Sequence, residues 1–255
     1  MRIVLDPGHG GEYPAGDPGA IGPGGIRECD ITLQVALKVR DVLAPVAEVF
    51  MTRAENAAVG DYRSDLINRV RIADEAGADL FISIHCNSAA DPSAKGCEVL
   101  CYPGSEKGKA LAAAILSHMI PATGLRNRGI KERGDLYVLN ATNMPAVLIE
   151  VAFISNPDEL AKLISPDFQT TVAVAIAQGI AGYLGLPLAA APSYRSVNTV
   201  PDVNSVNIDV MGTILQGFMV NINGVDYSYG PVRAIAEALG FKVDWDEETR
   251  TAKIR

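Results

Sequence analysis

Residues 79–88 read DLFISIHCNS. The run is almost continuously apolar up to Ile84 and follows a helix-stopping glycine at Gly77, the pattern of a β-strand buried on both faces. A strand of that kind belongs to a sheet covered by helices on either side. It ends on His85, which places an imidazole where the chain leaves the sheet. Two other segments repeat the arrangement. Residues 2–5 form a short apolar run stopped by Pro7 and Gly8 and followed by His9, and residues 146–151, AVLIEV, carry Glu150 near their end. In open α/β sheets, ligands bind in the crevice beyond the carboxyl ends of parallel strands.

Helical patterns alternate with these strands. Asp30 is placed to cap a helix with Ile31, Val35, Val39 and Val42 at helical spacing, ending before Pro45. Residues 46–52 read as a strand. Residues 63–76 read as a helix with Leu66, Ile67, Val70 and Ala73 facing inward. Beyond His85 the pattern gives a strand over 97–102, a helix over 107–120, a short strand over 137–139 and a helix over 167–184. The expected fold class is α/β: a twisted, mostly parallel sheet with helices on both faces.

After Leu186 the composition changes to a Pro-, Ala- and Ser-rich stretch without periodicity, read as a linker over 187–205. Residues 206–255 read as a small α+β C-terminal domain. Apolar runs over 218–222 and 225–229 flank Asn223-Gly224, a strong hairpin signal. Pro231 is suited to the first turn of a helix reaching Leu239, and a last strand pair surrounds the turn after Asp246. The division is therefore 1–186, 187–205 and 206–255.

The net charge of −8 argues against nucleic acid as the main partner, because phosphate binding needs a dense basic surface. No apolar run approaches the roughly 20 residues needed to span a bilayer, so no integral membrane segment is expected. The chain enters a strand at once, without a basic and then apolar leader, and its four cysteines lack the look of a secreted disulfide framework. Both features suggest synthesis in a reducing cytoplasm.

His9, His85 and Glu28, the last in the glycine-rich GPGGIREC segment, make a ligand set for one catalytic zinc with its fourth position open to water. Such an ion activates water and polarises a carbonyl, and Glu150 could move the proton from water to a leaving nitrogen. That is amide hydrolysis chemistry. Each residue alone has a plain structural explanation, as a turn histidine, a strand-end histidine or a helix-start glutamate. The joint pattern is what carries weight. The cysteines (Cys29, Cys86, Cys97, Cys101) are expected in the core, since Cys97 and Cys101 would stand roughly 13 Å apart on a strand. His118 is expected to be structural. No G-x-S-x-G elbow suggests a serine nucleophile.

The segments IVLDPGHGG, TRAEN, NRVRIADEAGADLFISIHCNS and GIKERGDLYVLNATNMPAVLIEVAFISNPDE, in this order with the Glu28 loop, resemble the zinc-dependent N-acetylmuramoyl-L-alanine amidases of the Amidase_3 family. The resemblance covers most of residues 1–186. It implies one zinc held by His9, Glu28 and His85, with Glu150 as catalytic acid/base. The bond cut would join the lactyl group of N-acetylmuramic acid to L-alanine in peptidoglycan. Cys86 and Ser88 depart from the family's usual residues, and neither change alters a ligand. Asn87 and Arg133 are candidates to orient substrate, with ordinary loop hydrogen bonding as the competing explanation.

The tail resembles the small domain found at the N-terminus of copper amine oxidases. It contains no histidine, so copper binding is not implied. Attached to a wall hydrolase, it is expected to be a wall-binding or dimerisation module, the latter giving a homodimer. The expected role is that of a phage endolysin, made in the cytoplasm and acting on the host cell wall. A host autolysin or spore mother-cell amidase is the alternative; a zinc peptidase or a non-catalytic wall-binding protein ranks below both.

Overall fold

A computed structural model describes residues 1–12, 15–60 and 64–188, together with the backbone of five strands between residues 205 and 254. The chain divides into two units, Met1–Ser193 and Tyr194–Arg255.

In the first unit the strands are β1 (Arg2–Pro7), the two-residue β2 (Ile21–Gly22) and β3 (Ile26–Arg27), β4 (Glu48–Met51), β5 (Leu80–Asn87), β6 (Cys97–Cys101), β7 (Asn127–Glu132) and β8 (Ala146–Phe153). The helices are α1 (Glu28–Leu43), α2 (Asp65–Glu75), α3 (Glu106–Thr123), α4 (Tyr137–Asn140), α5 (Pro157–Leu163) and α6 (Pro166–Leu184). Six strands form one sheet in the order β4-β1-β5-β8-β6-β7. All neighbours are parallel except β6 and β8. The expected α/β class, with a mostly parallel sheet, is what forms.

Side-chain alternation along the strands separates two unequal faces. Ile82, Ile84, Val99, Val147 and Ile149 join the larger core, with Val35 of α1, Ile115 of α3 and Ile176 of α6. Val4, Phe81, Leu100 and Leu148 face the other way, toward Val70 and Ala73 of α2 and Val138 and Leu139 of α4. That second layer is one helix of three turns and one of a single turn, so this face is thinly covered. Asp6, Ser83, His85, Glu98 and Glu150 alternate onto it.

Three local expectations are corrected. Leu66 and Ile67 of α2 are 50% and 53% exposed, whereas Arg69 is buried. The helix turns its Arg69 row inward because that side chain reaches a carboxylate beneath it. Residues 137–140 are a helical turn and not a strand, closed by the bonds of Asn140 N to Leu136 O and Ala141 N to Tyr137 O. Both ladder positions beside β8 are already taken by β5 and β6. Asp30 does not cap α1, which starts two residues earlier: Arg27 ends the β2–β3 hairpin in extended geometry and Glu28 is the first helical residue. All four cysteines are buried and free, as expected.

In the second unit five strands form a sheet in the order β11-β10-β9-β13-β12, namely Val225–Tyr229, Thr213–Ile222, Ser205–Val210, Thr251–Ile254 and Val243–Asp246. The hairpin around 223–224 forms with Ile222 opposite Val225, and the last strand pair is also present. β9 was not anticipated. The expected linker residues 189–204 and the expected helix over 231–239 lie outside the described residues. No helix among the described residues is long and apolar enough to cross a membrane.

Candidate metal centre

β1, β5 and β8 end at the same edge of the sheet, and each contributes to one cluster. His9 lies two residues past β1, His85 lies on β5, and Glu150 of β8 is its register partner. Glu28 reaches the cluster from the start of α1. Ligand atoms of His9, Glu28 and His85 all lie within 4.8 Å of one another, the one such group found among the described residues.

Glu28 is fixed from both sides. Its Oε1 accepts from Cys86 N at 2.9 Å and lies 3.0 Å from His85 Nδ1. Its Oε2 accepts from Ala20 N at 2.9 Å and lies 3.3 Å from His9 Nε2. Burial alone would raise the Glu28 pKa, but the two imidazoles outweigh it and hold the carboxyl well below its ordinary range. Burial likewise opposes charge on His9, yet Glu28 and Asp17 raise its pKa to about 9. The two rings meet edge to face, with centroids 4.8 Å apart. Glycine is required twice at this packing. A Cβ on Gly8 would stand 2.3 Å from His85 Cε1, and one on Gly19 would stand 2.6 Å from His9 Cδ2 and 2.7 Å from Glu28 Oε2.

Glu150 is half-buried, and its buried Oε2 has no hydrogen-bond partner. Burial is the main reason its pKa rises to about 7; the nearby Glu28 and Glu98 carboxylates add to this and His85 opposes it. An orphaned carboxylate oxygen beside two imidazoles and two other carboxylates is costly unless a cation or substrate group completes it. The donor set, two imidazoles and one carboxylate, suits a catalytic divalent ion.

Beneath the cluster lies a polar network that sequence reading did not find. The Arg69 guanidinium is buried and all its nitrogens are engaged. Nη1 donates to Asp6 Oδ1 at 2.6 Å and Pro7 O at 2.7 Å, Nη2 to His9 O at 2.7 Å, and Nε to Asp65 Oδ2 at 2.6 Å. Thr52 and Ser83 hydroxyls also donate to Asp6, each at 2.7 Å. Arg53 ties Pro7 O and Gly8 O, before His9, to Cys29 O, after Glu28. The signals were present: a charge inside an apolar strand at Asp6, and Arg69 one helical turn before Ala73 on the inward row.

Asn87 ends β5, and its Nδ2 donates to Glu98 Oε1 at 2.9 Å. Glu98 is the register partner of Glu150 and is paired with Arg128 at 2.8 Å. Arg133 lies past the end of β7, where its backbone N donates to Cys101 O. Its guanidinium forks onto Asp135 at 2.7 and 2.6 Å. Glu98 and Cys101 are three steps apart on β6, roughly 10 Å along the strand. His118 bonds within its own helix, to Ala114 O. A cavity of about 390 Å³ opens beside His9, lined by Gly16, Asp17, Ala58, Asp65 and Leu66.

Fold and site together define a class: an α/β protein with a His-Glu-His constellation suited to one divalent ion at the edge of its sheet. Residues 3–182 match the N-acetylmuramoyl-L-alanine amidase family (Amidase_3), and residues 220–255 match the copper amine oxidase N-terminal domain. The endolysin of Bacillus phage SPP1 is 36% identical over 233 residues, covering 89% of this chain and 82% of that protein. The germination-specific N-acetylmuramoyl-L-alanine amidase of Bacillus subtilis is 36% identical over 191 residues, covering 71% and 78%. The solved catalytic domain of CwlV, an N-acetylmuramoyl-L-alanine amidase from Bacillus (Paenibacillus) polymyxa, superposes with a TM-score of 0.66 at 37% identity, covering 72% of this chain and 98% of that one. The chain belongs to the N-acetylmuramoyl-L-alanine amidase family.

Proposed function

We propose that this protein is a zinc-dependent amidase that cleaves the bond between the lactyl group of N-acetylmuramic acid and L-alanine in peptidoglycan. The observation that carries this is the meeting of His9, Glu28, His85 and the unpartnered Glu150 at one sheet edge, in a chain of the amidase family. His9, Glu28 and His85 are the ligands; Glu150 is the acid/base. Zinc bound there supplies a Lewis acid that activates water and polarises the amide carbonyl. Glu150, with its pKa near 7, is suited to take a proton from the attacking water and return it to the leaving alanine nitrogen.

Digestion of purified peptidoglycan tests this. Free L-alanine amino termini on intact glycan strands are the expected products, lost on chelation and restored by zinc. Cuts between stem amino acids would make the protein a peptidase.

Two predictions concern the ion. His85→Ala removes one of three ligands, so zinc content after dialysis should fall from about one per chain to near zero; a fully loaded variant would remove His85 from the ligand set. His9 carries a proton at neutral pH in the metal-free protein, because its pKa is about 9, and a ligand nitrogen must be deprotonated. Zinc binding at pH 7 should therefore release about one proton, with affinity rising as pH increases toward 9. Calorimetry in two buffers of different ionisation enthalpy counts the proton; a count of zero contradicts the His9–Glu28 pairing.

The endolysin role is supported by the phage SPP1 match, which spans 89% of this chain where the germination amidase match spans 71%. A host autolysin or spore amidase is the alternative. Residues 206–255 are assigned to holding the enzyme on the wall. Full-length protein should sediment with purified walls and residues 1–190 should not; equal sedimentation would remove that role.

A further inference from the structure

Resting on the zinc reading above, we propose that Asp17 is the positioning residue of the metal centre, fixing the His9 ring so that Nε2 faces Glu28 and His85.

Four hydrogen bonds place it. Asp17 Oδ2 lies 2.8 Å from His9 Nδ1, and Oδ1 accepts from Gly19 N at 2.9 Å. A backbone bridge joins the same residue to the loop after His9, with Gly10 N donating to Asp17 O at 2.7 Å and Asp17 N to Gly10 O at 2.9 Å. The loop needs this support, because His9 is the one non-glycine residue at positive φ among those described, at 59°. A carboxylate against Nδ1 keeps the ring proton there and leaves the Nε2 lone pair for a metal. Nε2 is the nitrogen turned toward Glu28.

The two histidines are oriented by different means. His85 turns Nδ1 to Glu28, and its ring lies so close to Gly8 that a Cβ there would stand 2.3 Å from Cε1. Among the described residues no second carboxylate hydrogen-bonds to it. Among the described residues Asp17 is thus the only orienting carboxylate behind a ligand imidazole. Its side chain is 49% exposed, on a loop outside the core, and substitution leaves the backbone bridge to Gly10 in place, so its removal should lower folding stability only slightly.

Zinc affinity of the parent, D17A and D17N, measured by competition with a chelator of known affinity, tests the assignment. Loss of such a partner weakens metal binding about 10–100-fold, and this is expected for D17A with only a small drop in melting temperature in the zinc-free state. D17N keeps an acceptor oxygen for Nδ1–H but not the charge, and should fall between D17A and the parent. Affinity within about twofold of the parent in both variants would overturn the role. A parent that binds no zinc would refute the zinc reading itself, and this assignment with it.

Discussion

Glu150→Gln should bind zinc as the parent does and lose about 10²–10⁴-fold in kcat, the usual worth of a general acid/base. The substitution keeps the shape of a side chain held on β8 opposite His85. It removes only the capacity to accept and return a proton. Glu150 makes no hydrogen bond to any ligand through its orphaned Oε2, so the ligand set should be undisturbed. A second consequence has the opposite sign. Burial raises the Glu150 pKa from its ordinary value to about 7, so above that pH the metal-free fold carries an unfavourable buried charge that the unfolded chain does not. Zinc-free Glu150→Gln should therefore melt no lower than the parent at pH 8. Turnover within tenfold of the parent, with zinc content matched, would take Glu150 out of the chemistry.

Arg69→Met should cost about 3–5 kcal/mol of folding stability, as expected when one partner of a buried ion pair is removed. Asp6 and Arg69 are both only 1% exposed, and their contact is 2.6 Å. Although burial alone would raise it, the Asp6 pKa is held below its ordinary value by Arg69 and the Thr52 and Ser83 hydroxyls. Without the guanidinium, burial dominates and the Asp6 pKa moves above its unfolded value. The variant should then recover part of its lost stability as pH falls from 8 toward 5 and Asp6 becomes protonated. The parent behaves in the opposite sense, since its Asp6 contribution is full above the unfolded pKa and is lost only as pH falls through the depressed folded value. Denaturant unfolding at the two pH values measures both effects. A loss under 1 kcal/mol would show that the pair is replaceable.

The parts of this molecule that could be read from its sequence share one property: they interrupt a pattern. His85 ends one apolar run and Glu150 interrupts another, His9 follows a strand stopped by proline and glycine, and the composition shift after Leu186 is abrupt. Asp17 was missed because an aspartate in a Gly- and Pro-rich loop has an ordinary turn explanation. Its value comes from a contact eight residues back. β7, Asn127–Glu132, has neither apolar alternation nor β-branched enrichment; it is an edge strand and needs only one good face. The inward face of α2 was assigned by hydrophobicity, which favoured Leu66 and Ile67. The helix instead buries Arg69, because Asp6 beneath it requires a partner. That choice depends on a residue on another strand, which periodicity within one helix does not reveal.

The most direct test of amide hydrolysis at this site is cleavage of a defined muropeptide in ¹⁸O-labelled water, with both products weighed. Label in the lactyl carboxylate of N-acetylmuramic acid, an unlabelled peptide beginning with a free L-alanine amine, and the loss of both on Glu150→Gln substitution are the expected results. Label in a carboxylate of the stem peptide, with the lactyl amide intact, would contradict the assignment.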